Sequence, residues 1–168
     1  MDATFDHKVS RTTGASWLAW LGWVVLCNAV GLLSAALVGS ETSLYASLER
    51  PSFAPPSWIF GPVWTALYTL MGTATYLVWR RCTGEARRSA LLVFGVQLAL
   101  NAAWTPVFFG LERIFAAFLL IIANWLAVGA MTIVYFRRVP LAGALLVPLW
   151  LWVSFATVLN GAIWWLNR

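Results

Sequence analysis

The side chains able to do chemistry in the apolar part of this sequence are indoles, phenols and amides. Trp64 and Tyr68 stand four apart, as do Gln97 and Asn101, with Trp104 three residues further on and Phe108 four beyond it. Trp152, Ala156 and Asn160 repeat the interval of four. At about 100° per residue, each series falls on one face of a helix. Indole and phenol rings stack on flat apolar ring systems and carry one polar hydrogen each; an amide supplies both a donor and an acceptor. Ala156 leaves room between larger neighbours. Together these groups predict a pocket for a large, flat, hydrophobic ligand held by stacking and a few orienting hydrogen bonds. Taken singly, each indole is equally explained by core filling, and each Asn by an interhelical hydrogen bond without a ligand.

The chemistry that is missing narrows the function. There is no carboxylate pair, His/Cys cluster or Gly-rich phosphate loop, and the only histidine, His7, lies in a polar N-terminal stretch. No Ser/His/acid set is therefore available inside the apolar segments, and no axial His for haem. Cys27 and Cys82 lack metal-ligand spacing and read as small apolar fillers. No catalytic residue, metal site or bound cofactor is assigned.

These residues must be positioned in lipid. The chain of 168 residues is 61% hydrophobic and 10% charged, against about 25% charged in soluble domains. Five apolar segments stand out: Trp17–Val38, Ser57–Trp79, Ser89–Phe109, Ile114–Phe136 and Leu141–Trp165. Each is near the roughly 20 residues that cross a bilayer as a helix, and none carries an acid or base in its interior. Unpaired strand edges are excluded from lipid, so the predicted fold is an all-α membrane protein, a bundle of five transmembrane helices. The expected organisation is a tail over 1–16, a transmembrane domain over 17–165 with a long first loop at 39–56, and a short end at 166–168. The first apolar run is too long for a signal-peptide core and reads as an uncleaved span. Arg80 to Arg88 is expected to be a short basic loop.

Base counting sets an orientation. Lys8, Arg11, Arg80, Arg81, Arg87, Arg88, Arg137 and Arg138 fall on one side, and Arg50, Arg113 and Arg168 on the other. The positive-inside rule puts the first group, and the N-terminus, in the cytoplasm. The net charge of +5 is thereby explained by topology and lipid headgroups, with no nucleic-acid partner. On the third segment Gly95, Ala99 and Ala103 form a small face opposite Asn101 and Trp104, expected to be a helix-packing or dimer seam. Gly31, Ala35 and Gly39 offer a second small seam.

Three stretches resemble one known family. Tyr45-Ala46-Ser47-Leu48-Glu49-Arg50-Pro51-Ser52-Phe53-Ala54-Pro55-Pro56, followed by Phe60 and Trp64, is similar to the first loop and second-helix start of the translocator protein family, also called tryptophan-rich sensory proteins or peripheral-type benzodiazepine receptors. Asn101-Ala102-Ala103-Trp104-Thr105-Pro106-Val107-Phe108-Phe109 resembles its third-helix signature, and Trp152 with Ala156-Thr157-Val158-Leu159-Asn160 its fifth.

The resemblance implies a five-helix bundle, usually a homodimer, that binds tetrapyrroles such as protoporphyrin or haem, sterols, and isoquinoline or benzodiazepine-type drugs. The ligand-binding positions it implies are Tyr45, Trp64, Asn101, Trp104, Trp152 and Ala156, to which the helical spacing adds Tyr68. Phe53 stands where the family often has Trp, and Gly161-Ala162 and Trp165 replace the sterol pattern of animal members. Tetrapyrroles therefore fit better than sterols as ligand. The role implied is binding in transport or regulation of tetrapyrrole metabolism, with light- and oxygen-dependent breakdown of protoporphyrin as the alternative.

Overall fold

The computed structural model describes residues 12–38 and 42–168. Within them the chain is helical: α1 (Thr12–Ala36), α2 (Thr42–Ser47), α3 (Phe60–Arg81), α4 (Gly84–Thr105), α5 (Ile114–Arg138) and α6 (Pro140–Leu166). A 3-10 turn (Ser57–Ile59) leads into α3, and a π-helical turn (Pro106–Gly110) extends α4. The expected N-terminal positions His7, Lys8 and Arg11, and Gly39 of the small-residue series, lie outside the described residues.

Four helices are long and apolar enough to cross a membrane, over Ser16–Ala36, Gly84–Gly110, Ile114–Arg138 and Pro140–Leu166. The fifth long helix, α3, is not among them. It has the length, at 22 residues, but carries Thr65, Thr69, Thr73 and Thr75. Each of these hydroxyls donates to the carbonyl four residues back, at 2.8–2.9 Å. Back-bonding of this kind satisfies a hydroxyl without water.

The helices run beyond the apolar segments at several ends. The basic loop expected from Arg80 to Arg88 shrinks to Cys82 and Thr83, with Arg87 and Arg88 inside α4. Hydropathy marks where apolar side chains stop, whereas a helix continues as long as its backbone is bonded. Gly84 makes the tight junction, at φ +54°, a left-handed conformation that suits glycine. The first loop also contains helix α2, too short to show as a periodic pattern.

The long helices pack in a closed ring, in the order α1, α3, α6, α5, α4 and back to α1. One half of the ring is solid. Met71, Ala74, Val78, Val128, Met131 and Leu146 are fully buried there, and Tyr135 donates to the Thr75 hydroxyl across it at 3.3 Å. The α1–α3 seam is close because Gly72 lies directly on the backbone of Trp23 and Val24. Trp20 Nε1 donates to Thr73 Oγ1 (3.1 Å) along the same seam.

Pro106 shapes the other half. It has no N–H to give Ala102, four residues back. The freed Ala102 carbonyl instead accepts from the Ser34 hydroxyl of α1. One hydrogen bond thus repairs α4 and ties it to α1, while the π turn re-aims Phe108 and Phe109. Such turns recur at functional sites.

Candidate functional site

A cavity of about 310 Å³ occupies the half of the ring nearer the first loop. All seven positions singled out from the sequence line it: Tyr45, Trp64, Tyr68, Asn101, Trp104, Trp152 and Ala156. They come from the first loop, α3, α4 and α6, so only the ring brings them together.

Three aromatic groups build the walls. On α3, Trp64 stacks with Tyr68 at 5.4 Å between centroids and 28° between planes. Tyr68 packs directly on Gly31 of α1, where a Cβ would overlap Cε2 of the phenol ring. The Gly31/Ala35 face, expected to be a packing seam, is therefore part of the cavity wall. On α4, Trp104 stacks on Phe108 (5.1 Å, 29°) and meets Phe109 edge-on (6.0 Å, 89°). From α6, Trp152 packs against Phe60 at 6.1 Å, and Phe60 meets Tyr45 edge-on at 5.7 Å. Edge-to-face and offset pairs of this kind fix ring planes.

The amides divide into positioned and unpartnered groups. Asn160 Oδ1 accepts from Trp104 Nε1 at 3.0 Å, and its Nδ2 donates to the Ile114 carbonyl at 3.2 Å. Asn160 therefore orients Trp104 and ties α6 to the start of α5. Deeper in the bundle, Gln97 Nε2 donates to Asn124 Oδ1 at 3.4 Å. By contrast, the buried donors Asn101 Nδ2 and Trp152 Nε1 have no partner, and neither does the acceptor Gln97 Oε1. A buried unpaired donor costs about 1–3 kcal/mol, so both favour an occupant that brings an acceptor.

Tyr45 closes the loop end. It is 5% exposed, its hydroxyl donates to the Pro55 carbonyl at 3.2 Å, and the Arg50 guanidinium lies 4.9 Å from its ring centroid. Burial pushes its phenol upward in pKa and Arg50 partly offsets that, so it is a neutral donor near pH 7. The cavity also has a side opening between α1 and α3, where the lining residues Leu32, Gly61 and Thr65 are exposed.

Met71 and Thr75, which share the Trp64 face of α3, are buried in the solid half and do not line the cavity. Sequence reasoning missed Asn28 and Asn124 as lining residues. Both are amides within apolar segments, the same signal that marked Asn101 and Asn160.

The profile of the TspO/MBR family matches residues 23–166, which includes every helix that builds the cavity except the first turns of α1. The chain belongs to the TspO/MBR family. Curated TspO relatives cover most of it. The human translocator protein is 39% identical over 128 residues, covering 75% of this chain and 76% of its own. The tryptophan-rich protein TspO of Archaeoglobus fulgidus is 43% identical over 128 residues, covering 76% of this chain and 82% of its own. The tryptophan-rich sensory protein of Cereibacter sphaeroides is 37% identical over 144 residues, covering 86% and 88%. Family membership and the four long apolar helices make the chain a multi-pass membrane protein.

Proposed function

We propose that the protein is a membrane receptor for tetrapyrroles such as protoporphyrin, and for similar flat hydrophobic molecules, serving their transport or the regulation of their metabolism. The observation that carries this reading is the cavity wall of stacked Trp64/Tyr68, Trp104/Phe108 and Trp152 with unpartnered donors on Asn101 and Trp152. Flat faces suit a macrocycle, and the donors suit its carboxylate or carbonyl oxygens. The volume is at the low end of the roughly 300–1,000 Å³ typical of ligand sites. That size suits a bicyclic or tricyclic ring of the isoquinoline or benzodiazepine type. A tetrapyrrole is larger, and the exposed lining at Leu32, Gly61 and Thr65 gives its rim room.

In this reading α3 is the fifth span, its threonines made compatible with lipid by back-bonding. The basic helix ends face the cytoplasm and the cavity faces the opposite side, by the positive-inside rule. The protein is a homodimer through the exposed small face Gly95, Ala99 and Ala103 of α4.

The test is a dark titration of detergent-solubilised protein with protoporphyrin, followed by Trp fluorescence quenching. Saturable quenching that weakens in a Trp64→Phe/Trp152→Phe double variant, and not in Trp17→Phe, supports the site. Linear quenching, or quenching indifferent to the double variant, means partition into the micelle and rejects it.

A further inference from the structure

One side chain at the far end of the chain pairs with the backbone of the first loop, beside the apolar packing of Tyr45, Leu44, Leu48 and Ala54 on the cluster that holds Leu159 and Ile163. Asn167 sits just past the C-terminus of α6, and its carboxamide pairs reciprocally with the backbone of Glu49. Asn167 Oδ1 accepts from Glu49 N at 3.0 Å, and Asn167 Nδ2 donates to Glu49 O at 2.9 Å. The same Nδ2 donates to Ile163 O at 2.8 Å, which holds the amide in register with its own helix. A carboxamide used in this way substitutes for a neighbouring strand, because it presents a donor and an acceptor side by side. The two residues are 118 positions apart.

The fastened segment reaches the cavity through Tyr45. Glu49 adjoins Arg50, whose guanidinium covers the Tyr45 ring, and Tyr45 lines the cavity beneath. Phe53, further along the same strap, meets Phe155 of α6 edge-on at 6.3 Å. Both ends of the contact are exposed, so water competes for the hydrogen bonds whenever the strap lifts. Attachments of this sort open locally without global unfolding.

We infer that Asn167 is a latch: its amide holds the strap from Leu44 to Pro56 closed, and its release sets the rate at which the cavity exchanges its contents with the aqueous side. The inference gives a regulation of the site proposed above, but its test needs no ligand.

On a background of Cys27→Ala and Cys82→Ser, Ala156→Cys places a thiol in the cavity wall. Its modification by a charged, membrane-impermeant methanethiosulfonate reports access from water. Adding Asn167→Ala is expected to speed modification roughly tenfold, the loss of two hydrogen bonds of ordinary net strength. Asn167→Asp keeps the acceptor but sets a carboxylate oxygen against the Glu49 and Ile163 carbonyls, and should speed modification at least as much as Asn167→Ala. Hydrogen exchange of the Glu49 amide should accelerate in parallel, with helix content and thermal midpoint unchanged. An unchanged exchange rate at Glu49 overturns the latch. Faster exchange with unchanged thiol modification shows that the strap is not the gate, and also overturns it. If protoporphyrin fails to bind saturably, the proposed ligand falls while both of these readouts still decide the latch.

Discussion

Replacing Gly72 by Ala tests whether the ring of helices is held at the separation described. A Cβ at Gly72 would lie 2.7 Å from Cα of Val24 and 2.8 Å from the carbonyl oxygen of Trp23. Carbon atoms in contact prefer about 3.5–4.0 Å, so the overlap is close to 1 Å. Both opposing atoms are backbone, and no rotamer change relieves them; α1 must move away from α3. Overpacking of this kind costs about 1–3 kcal/mol. Gly to Ala within a helix returns up to about 1 kcal/mol, and with that return in full the net loss is about 0–2 kcal/mol. The movement would also lengthen the Trp20–Thr73 and Asn28–Thr69 hydrogen bonds, at 3.1 and 3.4 Å, that lie along the same seam. The matched control is Gly22→Ala on α1, where a Cβ meets nothing within 4 Å; it should be neutral or slightly stabilising. Reversible unfolding of both variants and the wild type in one detergent gives the comparison. If Gly72→Ala is as stable as Gly22→Ala, the close approach of α1 and α3 is wrong.

Other outcomes follow from the same contacts. Gly31→Ala should leave the helices folded but drive the Tyr68 ring from its place against α1, with protoporphyrin affinity in the dark falling about tenfold, the effect of 1.4 kcal/mol. Asn160→Leu removes the partner of both Trp104 Nε1 and the Ile114 carbonyl; it should cost about 0.6–2 kcal/mol in unfolding experiments, the range of interhelical hydrogen bonds in membrane proteins. If the proposed dimer forms, Ala99→Leu on the exposed small face of α4 should shift it to monomer on size-exclusion chromatography with light scattering and leave monomer stability unchanged.

What the sequence alone determined was set by composition and local periodicity. Apolar segments of spanning length mark α1, α4, α5 and α6, because in lipid a helix is the only open-chain way to pair every backbone group. The interval of four put Trp64 with Tyr68, and Trp152 with Ala156, on common faces, and amides at Asn101 and Asn160 pointed inward because lipid offers them no partner. The three ordered motifs were legible as a family resemblance for the same reason: they are contiguous in sequence. Tertiary structure decided the rest. That Gly31 backs Tyr68, that Ser34 repairs the carbonyl freed by Pro106, and that Met71 packs in the solid half while Tyr68 lines the cavity all depend on which helix lies opposite. Helices ran on past Trp79 and Phe136, to Arg81 and Arg138, because backbone hydrogen bonding, and not hydropathy, ends a helix. The Asn167–Glu49 pairing was invisible in sequence, since an exposed, penultimate Asn has no pattern to announce a partner 118 positions away. Spacing along one helix fixes which side chains share a face; only the closed order of five helices fixes what that face meets.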